Sequence, residues 1–195
     1  MSPDLHPETR EEETGQTSRK VVAGHFLSLD GVAEAPERFI TAWDDETDAS
    51  GADLIATQDA VILGRRTYDD WAQFWPGSEI QPFASFINAV PKYVATSTRL
   101  DREWTSSRVI EGGLVDFVRH LKGQPGGDIG VHGSISVTRT LLAADVVDEL
   151  RLVIAPTIAG SGQRLLDGLP LIRLETIRGA ASSSGHVLVD YRVVH

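Results

Sequence analysis

The segment Val21–Leu27 constrains the fold more than any other part of the chain, because it is apolar or glycine at every position except His25. A strand with one solvated face carries polar residues at alternate positions, whereas an unbroken apolar run is typical of a strand covered on both faces. The chain therefore needs helices above and below a largely parallel sheet. We expect His25, and His132 at the end of a later apolar run, to be packed or hydrogen-bonded histidines.

Strands and helices alternate through the rest of the sequence. Apolar runs predict strands over residues 60–63, 92–96 and 128–132. Helices are predicted over residues 50–57, 82–89, 114–121 and, with Ser134 as the N-cap, 134–143. Alternating hydrophobicity predicts late antiparallel strands over residues 150–154 and 187–193. The fold class is therefore α/β, a three-layer sandwich with a mixed, mostly parallel sheet, helices on both faces and antiparallel strands at the C-terminal end.

Composition indicates one globular domain. The chain has 195 residues, of which 41% are hydrophobic and 24% are charged, as in ordinary single domains. Residues 1–19 are polar, contain the acidic run Glu11-Glu12-Glu13 and lack periodic apolar positions, so we predict a disordered tail. Residues 20–195 are then the folded domain.

Charge and residue usage exclude several classes of function. A net charge of −10 argues against binding to nucleic acid or to an anionic membrane surface. The absence of cysteine excludes disulfides, cysteine nucleophiles and thiolate metal sites, and no spacing of His, Asp and Glu predicts a metal site. No apolar stretch is long enough for a membrane span or a secretory signal, which favours a cytoplasmic protein.

Four predicted strands end in small or polar residues, and such ends meet at one edge of a parallel sheet, where ligands bind. The four ends are Ser28-Leu29-Asp30-Gly31, Gly64-Arg65-Arg66-Thr67, Thr96-Ser97-Thr98 and Gly133-Ser134-Ile135. In the second, the glycine allows close backbone approach and the two arginines offer forked donors, so an anionic ligand such as phosphate is favoured. The alternative for each end is structural: solvated arginines, an ordinary loop or a plain helix cap.

These strand ends belong to a wider set of motifs between residue 20 and the C-terminus. The others are Lys92-Tyr93-Val94-Ala95, Val131-His132, Val147-Asp148-Glu149-Leu150-Arg151-Leu152 and Gly160-Ser161-Gly162-Gln163-Arg164-Leu165. On these motifs the chain resembles the dihydrofolate-reductase-like superfamily and, within it, stand-alone relatives of the reductase domain of bifunctional riboflavin-biosynthesis deaminase/reductases. Such proteins bind a nicotinamide cofactor without the G-x-G-x-x-G fingerprint, which this chain also lacks.

The resemblance implies a cofactor site for NADPH. By position, Gly64, Arg65, Arg66 and Thr67 would hold its phosphates, Thr96, Ser97 and Thr98 would lie near the adenosine ribose, and Gly133, Ser134 and Ile135 would meet the pyrophosphate. Backbone amides at a helix start favour negative charge, and an arginine fork suits the 2′-phosphate that separates NADPH from NADH.

The resemblance also implies where chemistry occurs. The loop after the first strand would cover the nicotinamide, which makes Asp30, Glu34 and Glu37 candidate proton donors or substrate ligands, with solvated carboxylates as the alternative. The loop Gly160-Ser161-Gly162 would approach the substrate, with an ordinary flexible turn as the alternative. Clustered aromatic residues are predicted to belong to the core and are left out of the site. They are Trp43, Trp71, Phe74 and Trp75.

We therefore expect an NADPH-dependent reductase of a small heterocyclic or ribosylated substrate. The riboflavin intermediate 5-amino-6-(5-phosphoribosylamino)uracil is one candidate. The alternatives are a dihydrofolate or pterin reductase and a non-catalytic NADPH-binding module. Folate reduction is disfavoured, because residues 39–54 offer no unambiguous counterpart of the acidic residue that faces the pterin. The resemblance also implies a homodimer.

Overall fold

The computed structural model describes residues 19–195, so the predicted tail lies outside the described residues except for Arg19. Arg19 is buried, donates from Nε to the carbonyl of Gly127 at 2.6 Å and pairs with Asp59. Arg19, which was predicted to end the tail, therefore belongs to the folded domain.

Within residues 19–195, eight strands form one sheet. They are β1 (Val21–Leu27), β2 (Gln58–Gly64), β3 (Lys92–Ala95), β4 (Ser107–Val109), β5 (Asp128–His132), β6 (Glu149–Ile154), β7 (Leu174–Ala181) and β8 (Val187–Val193). Their order across the sheet is β4-β3-β2-β5-β1-β6-β8-β7. The first six strands are mutually parallel, and β8 runs antiparallel to both β6 and β7.

The prediction for residues 150–154 was right about the strand and only half right about its pairing. One edge of β6 pairs with β8 in antiparallel fashion, but the other edge pairs in parallel with the central strand β1. Its alternation arises because Glu149 and Arg151, which share one face, form an ion pair at 2.9 Å. Mutual neutralisation lets charged residues occupy a strand inside the sheet.

Five α-helices connect the strands. They are α1 (Asp45–Ile55), α2 (Arg65–Phe74), α3 (Phe83–Ala89), α4 (Leu114–Lys122) and α5 (Ile135–Ala143). The start of α1 lies five residues before the predicted one, because the Asp44 side chain accepts a hydrogen bond from the Thr47 amide at 2.8 Å and caps the helix there. Ser134 is the N-cap residue of α5 as predicted, but its hydroxyl makes no capping bond within the helix.

The sheet is covered on both faces, as predicted. On β2, Ala60 and Ile62 pack in one cluster with α4 and α5, while Val61 and Leu63 pack in a second cluster with α2 and α3. Leu54 of α1 lies over the backbone of β1 on the same side as α3. The three-layer α/β fold is thus confirmed. Within residues 19–195, no helix has the length and apolar character needed to cross a membrane.

Candidate active site

A cavity of about 970 Å³ opens along the carboxyl ends of four neighbouring strands, β2, β5, β1 and β6. Each strand or the loop after it contributes to the lining: Gly64 after β2, Gly133 after β5, Phe26 in β1 and Val153 in β6. The chain connection reverses direction in this region, since β1 leads to β2 on one side and β5 leads to β6 on the other. Such switch points are where open α/β sheets bind ligands.

Two helices begin at the wall of this cavity, and their first turns are joined by hydrogen bonds. The Ser134 hydroxyl accepts the Gly64 amide at 2.7 Å and donates to the Thr67 hydroxyl at 2.9 Å. Thr67 in turn donates to the carbonyl of Gly133 at 3.2 Å. This network holds the N-termini of α2 and α5 side by side, so free backbone amides of both helices lie at the same cavity.

Gly133 is required by two features of this junction. Its φ of +62° lies in the left-handed region, and an added Cβ would meet Trp71 Cζ2 at 3.0 Å and Thr67 Cγ2 at 3.2 Å. A side chain here would therefore be strained and would separate α2 from the start of α5.

The two neighbouring arginines have different environments. Arg65 donates from Nε to Asp69 at 2.7 Å, from one terminal nitrogen to the Thr98 hydroxyl at 2.5 Å, and from the other to Asp101. Its guanidinium therefore ties the loop after β3 to α2 and is already balanced by two carboxylates. Arg66 is exposed, lines the cavity and lies 3.6 Å from Glu34.

A second cavity, of about 1220 Å³, lies at the carboxyl ends of β3 and β4. It is lined by the predicted residues Thr96, Ser97 and Thr98, by Arg99 and by Arg108. The guanidinium of Arg108 lies 4.8 Å from the ring centre of Tyr93. Because Arg65 contacts the loop at Thr98, the structure brings the second and third predicted strand ends together.

Asp30 is held away from the cavity by the glycine-rich loop. Its carboxylate accepts hydrogen bonds from Ser28 Oγ at 2.7 Å and from the amides of Ala159 at 2.9 Å and Gly160 at 3.0 Å. These bonds, with Ser28 the largest cause, lower the pKa of Asp30 to about 2. The ionised carboxylate of Asp30 therefore fixes the position of this loop. Asp30 is not among the described residues that line the 970 Å³ cavity.

The predicted substrate loop is held against the loop after β1, whose carboxylates Asp30 and Glu34 accept hydrogen bonds from its backbone amides. An added Cβ on Gly162, whose φ is +122°, would meet Val32 Cγ1 at 2.8 Å. Of this loop, Gln163 lines the cavity, whereas Gly160, Ser161 and Gly162 are not among its lining residues within the described part of the chain. Glu34 does line the cavity and accepts the Gln163 amide at 3.0 Å.

His25 and His132 are buried and uncharged. Nε2 of His25 lies 2.7 Å from the Thr138 hydroxyl, and Nε2 of His132 lies 2.7 Å from Gln58 Oε1. Burial lowers the pKa of His132 to about 4, and burial together with the nearby His132 lowers the pKa of His25 to about 3. Both imidazoles are therefore buried and hydrogen-bonded, and both line the 970 Å³ cavity.

A family comparison matches residues 19–188 to the RibD C-terminal domain model. The chain belongs to the RibD C-terminal domain family. A relative of this RibD-type chain, "Uncharacterized protein YyaP" of Bacillus subtilis (strain 168), is 27% identical to it over 178 residues, which cover 89% of this chain and 94% of the relative.

Solved structures agree with this RibD-type fold. A putative riboflavin biosynthesis protein from Shewanella sp. PV-4 superposes with a TM-score of 0.70 at 17% identity, covering 90% of this chain and 99% of that one. Dihydrofolate reductase from Enterococcus faecalis, complexed with NADP(H), superposes with a TM-score of 0.60 at 15% identity, covering 90% and 97%. The predicted family and fold are both confirmed.

Sequence reasoning missed several residues of this RibD-type cavity. Thr47, Asp48, Gly51 and Leu54 of α1 line it, and their spacing is that of one helix face. This signal was present in the sequence but was hidden, because the helix was predicted to begin only at residue 50. The cavity also contains aromatic and basic side chains that were left out of the predicted site: Trp43, Trp71, Trp75 and Arg151.

Proposed function

We propose that this protein is an NADPH-dependent reductase of a small heterocyclic or ribosylated substrate. The observation that carries the proposal is the cavity at the switch point of the sheet, with the N-termini of α2 and α5 joined at its wall. Membership of the RibD C-terminal family supports it. Bound NADPH would supply a hydride from its nicotinamide ring to a C=O or C=N carbon, whose π electrons move to the heteroatom and take up a proton.

The lining residues fit such a cofactor. Amides at the starts of two helices and the exposed guanidinium of Arg66 favour a pyrophosphate in the 970 Å³ cavity. In the proposed set, Gly64 and Gly133 allow close backbone approach, while Thr67 and Ser134 fix the two turns against each other. Ile135 lines the same wall.

The adenosine half of NADPH is assigned to the 1220 Å³ cavity beside Thr96, Ser97 and Thr98. Arg99 and Arg108 add positive charge to this cavity, which suits a 2′-phosphate. In the proposed site, Arg65 orders the loop at residues 96–98 rather than contacting the cofactor, because its donors are directed to Asp69, Thr98 and Asp101.

Calorimetric titration with NADPH and NADH tests the cofactor assignment. The double variant Arg99→Ala/Arg108→Ala should weaken NADPH binding more than NADH binding, by about tenfold or more, since each charge-assisted phosphate contact contributes roughly 1.5 to 3 kcal/mol. Arg66→Ala should weaken both cofactors alike, because both carry the pyrophosphate. Arg192→Ala on β8, where the arginine forms an exposed ion pair with Glu175, is the matched control. Equal losses for both cofactors in the double variant would contradict a 2′-phosphate contact, and no heat with NADPH would overturn the proposal.

The proton donor and the substrate need a turnover assay. Glu34 is the proposed donor, because it lines the cavity, whereas Asp30 is held ionised by the loop at 159–160. Oxidation of NADPH should be followed with 5-amino-6-(5-phosphoribosylamino)uracil, dihydrofolate and simple carbonyl compounds. Glu34→Gln should lower kcat with little change in NADPH affinity. Reduction of dihydrofolate alone would instead support the pterin reductase.

One observation favours the non-catalytic module as a second candidate. Of the three candidate carboxylates, two already have partners in the structure: Asp30 is bonded to the loop at 159–160, and Glu34 is bonded to Gln163 and lies near Arg66. A module would bind NADPH tightly and oxidise none of it with any class of substrate. Robust turnover with any of the three classes would reject this candidate.

We also propose a homodimer that forms through β7, one of the two edge strands of the described sheet. All eight residues of β7 are exposed, including the apolar side chains of Leu174 and Ile177. An open, apolar strand edge is a template for pairing with another chain. Light scattering should give twice the mass of one chain, and Ile177→Lys should give single chains. A monomeric parent protein would refute the dimer.

A further inference from the structure

The part of the 970 Å³ cavity formed by β1 and α1 differs in chemistry from the part formed by the two helix N-termini. We call it the aromatic shelf, defined by Phe26 and Trp43. Their ring centres lie 5.5 Å apart, and both side chains line the cavity. Trp43 is 51% exposed, which is unusual for so large an aromatic side chain.

The exposed indole is held in a fixed orientation. Trp43 Nε1 donates to Asp48 Oδ1 at 2.6 Å, and Asp48 belongs to α1, whose capped N-terminus precedes it. The ring is thus packed against Phe26 on one side and hydrogen-bonded at its edge. A rigid exposed aromatic side chain binds flat rings at a small entropic cost.

The charges around the aromatic shelf are unsuited to phosphate. Asp48 and Glu37 both line the cavity and are exposed carboxylates, and Asp48 belongs to the aromatic shelf through its hydrogen bond with Trp43. Arg151 is the basic residue on the same side, but its guanidinium is paired with Glu149 at 2.9 Å. Within residues 19–195, the cavity has no further lysine or arginine besides Arg65 and Arg66 near the helix N-termini. A doubly charged phosphate would therefore face carboxylates without a free cation.

Building on the proposed reductase function, we propose that its substrate is a planar ring compound without a phosphate group, which stacks on Trp43. The uncharged ring would gain contact with Phe26 and Trp43, while the carboxylates at the shelf would select against phosphate esters. Asp48 has a double role in this proposal, because it orients the indole and adds to the negative charge.

Three flat probes that share one ring system test the proposal: lumichrome, riboflavin and flavin mononucleotide. They present the bare ring, the ring with an uncharged ribityl chain, and the same chain with a phosphate. Quenching of their fluorescence is measured with saturating NADP⁺, so that the phosphate-binding part of the cavity is occupied. Lumichrome and riboflavin should bind with similar affinity, and flavin mononucleotide about tenfold or more weakly.

Single substitutions distinguish the contribution of ring stacking to probe binding from the contribution of charge. Trp43→Ala should weaken riboflavin binding about tenfold, whereas Trp43→Phe, which keeps an aromatic ring, should stay close to the parent protein. Asp48→Asn keeps an acceptor for the indole N–H and removes one charge, so it should narrow the difference between riboflavin and flavin mononucleotide. In all three variants the affinity for NADP⁺, measured by calorimetry, should be unchanged.

Two results would overturn the inference while leaving the reductase proposal intact. One is tighter binding of flavin mononucleotide than of riboflavin by protein that is saturated with NADP⁺. The other is normal NADP⁺ binding with no quenching of any of the three probes. Failure of NADP⁺ itself to bind would instead count against the proposed function, so the two failures are distinguishable.

Discussion

Acidification from pH 7 to pH 5 should destabilise this protein through two buried histidines. In the folded state the pKa of His25 is lowered to about 3 and that of His132 to about 4, mainly by burial. In the unfolded chain both groups have pKa values of about 6.5. Below about pH 6.5 the unfolded chain therefore binds two protons that the folded protein does not bind, and stability falls as the pH falls.

The size of the effect follows from the difference in bound protons. Each histidine removes about 2 kcal/mol from the free energy of unfolding between pH 7 and pH 5, and the pair removes about 4 kcal/mol. Asp30, with a pKa of about 2 in the folded state and about 4 in the unfolded chain, contributes little in this window. The loss continues until the pH approaches the folded pKa values of 3 to 4.

Urea unfolding at pH 7, 6, 5.5 and 5 measures this effect. His25→Gln keeps a hydrogen-bonding group near Thr138 and should reduce the loss to about 2 kcal/mol, because one histidine remains. His120→Gln, at an exposed histidine of α4, is the matched control. A loss below about 1 kcal/mol in the parent protein, or an equal loss in His25→Gln, would refute the assignment of both groups as buried and neutral.

Three further predictions concern the site and its supporting loops. Ser134→Ala should lower the free energy of unfolding by about 1 to 3 kcal/mol in a urea titration, because the Gly64 amide loses its partner, whereas the exposed Ser136→Ala should change it by less than about 0.5 kcal/mol. Gly133→Ala should cost more than Gly160→Ala, since both have positive φ but only Gly133 has neighbours within 4 Å of an added Cβ; equal costs would argue against close packing at that junction. Asp30→Asn should remove an acid-sensitive part of stability, which in the parent protein is present above pH 4 and lost as the pH falls toward 2, and trypsin should cut after Arg164 faster in the variant.

The layer arrangement was predictable because Val21–Leu27 is apolar on both faces, which only a doubly covered strand tolerates. The parallel pairing of β6 with β1 could not be predicted from the sequence. Glu149 and Arg151 give β6 the polar positions that are typical of an edge strand, whereas in the structure these two residues neutralise each other. Strand β7 left no signal at all: every one of its residues is exposed, and its burial shows no alternation.

The candidate site was predictable in its location and less so in the roles of its charged residues. Strand ends that are polar or small meet at one edge of a parallel sheet, so the convergence of residues 64–67 with 133–135 follows from topology. The partners of Arg65 and Asp30 do not follow, because Asp101 and the amides at 159–160 are distant in sequence. The sequence shows that an arginine offers N–H donors. Which carboxylates accept hydrogen bonds from those donors is determined by the fold.

The position of β5 between β1 and β2 has a consequence for synthesis on the ribosome. In the described sheet, β1 lies between β5 and β6. The residues that hydrogen-bond to β1 are therefore translated about a hundred residues after it. A nascent chain that ends before residue 128 contains the apolar segment of β1 but neither of the strands that pair with it. Such a chain exposes a segment that chaperones recognise and that aggregates readily, and truncations upstream of β5 should be insoluble.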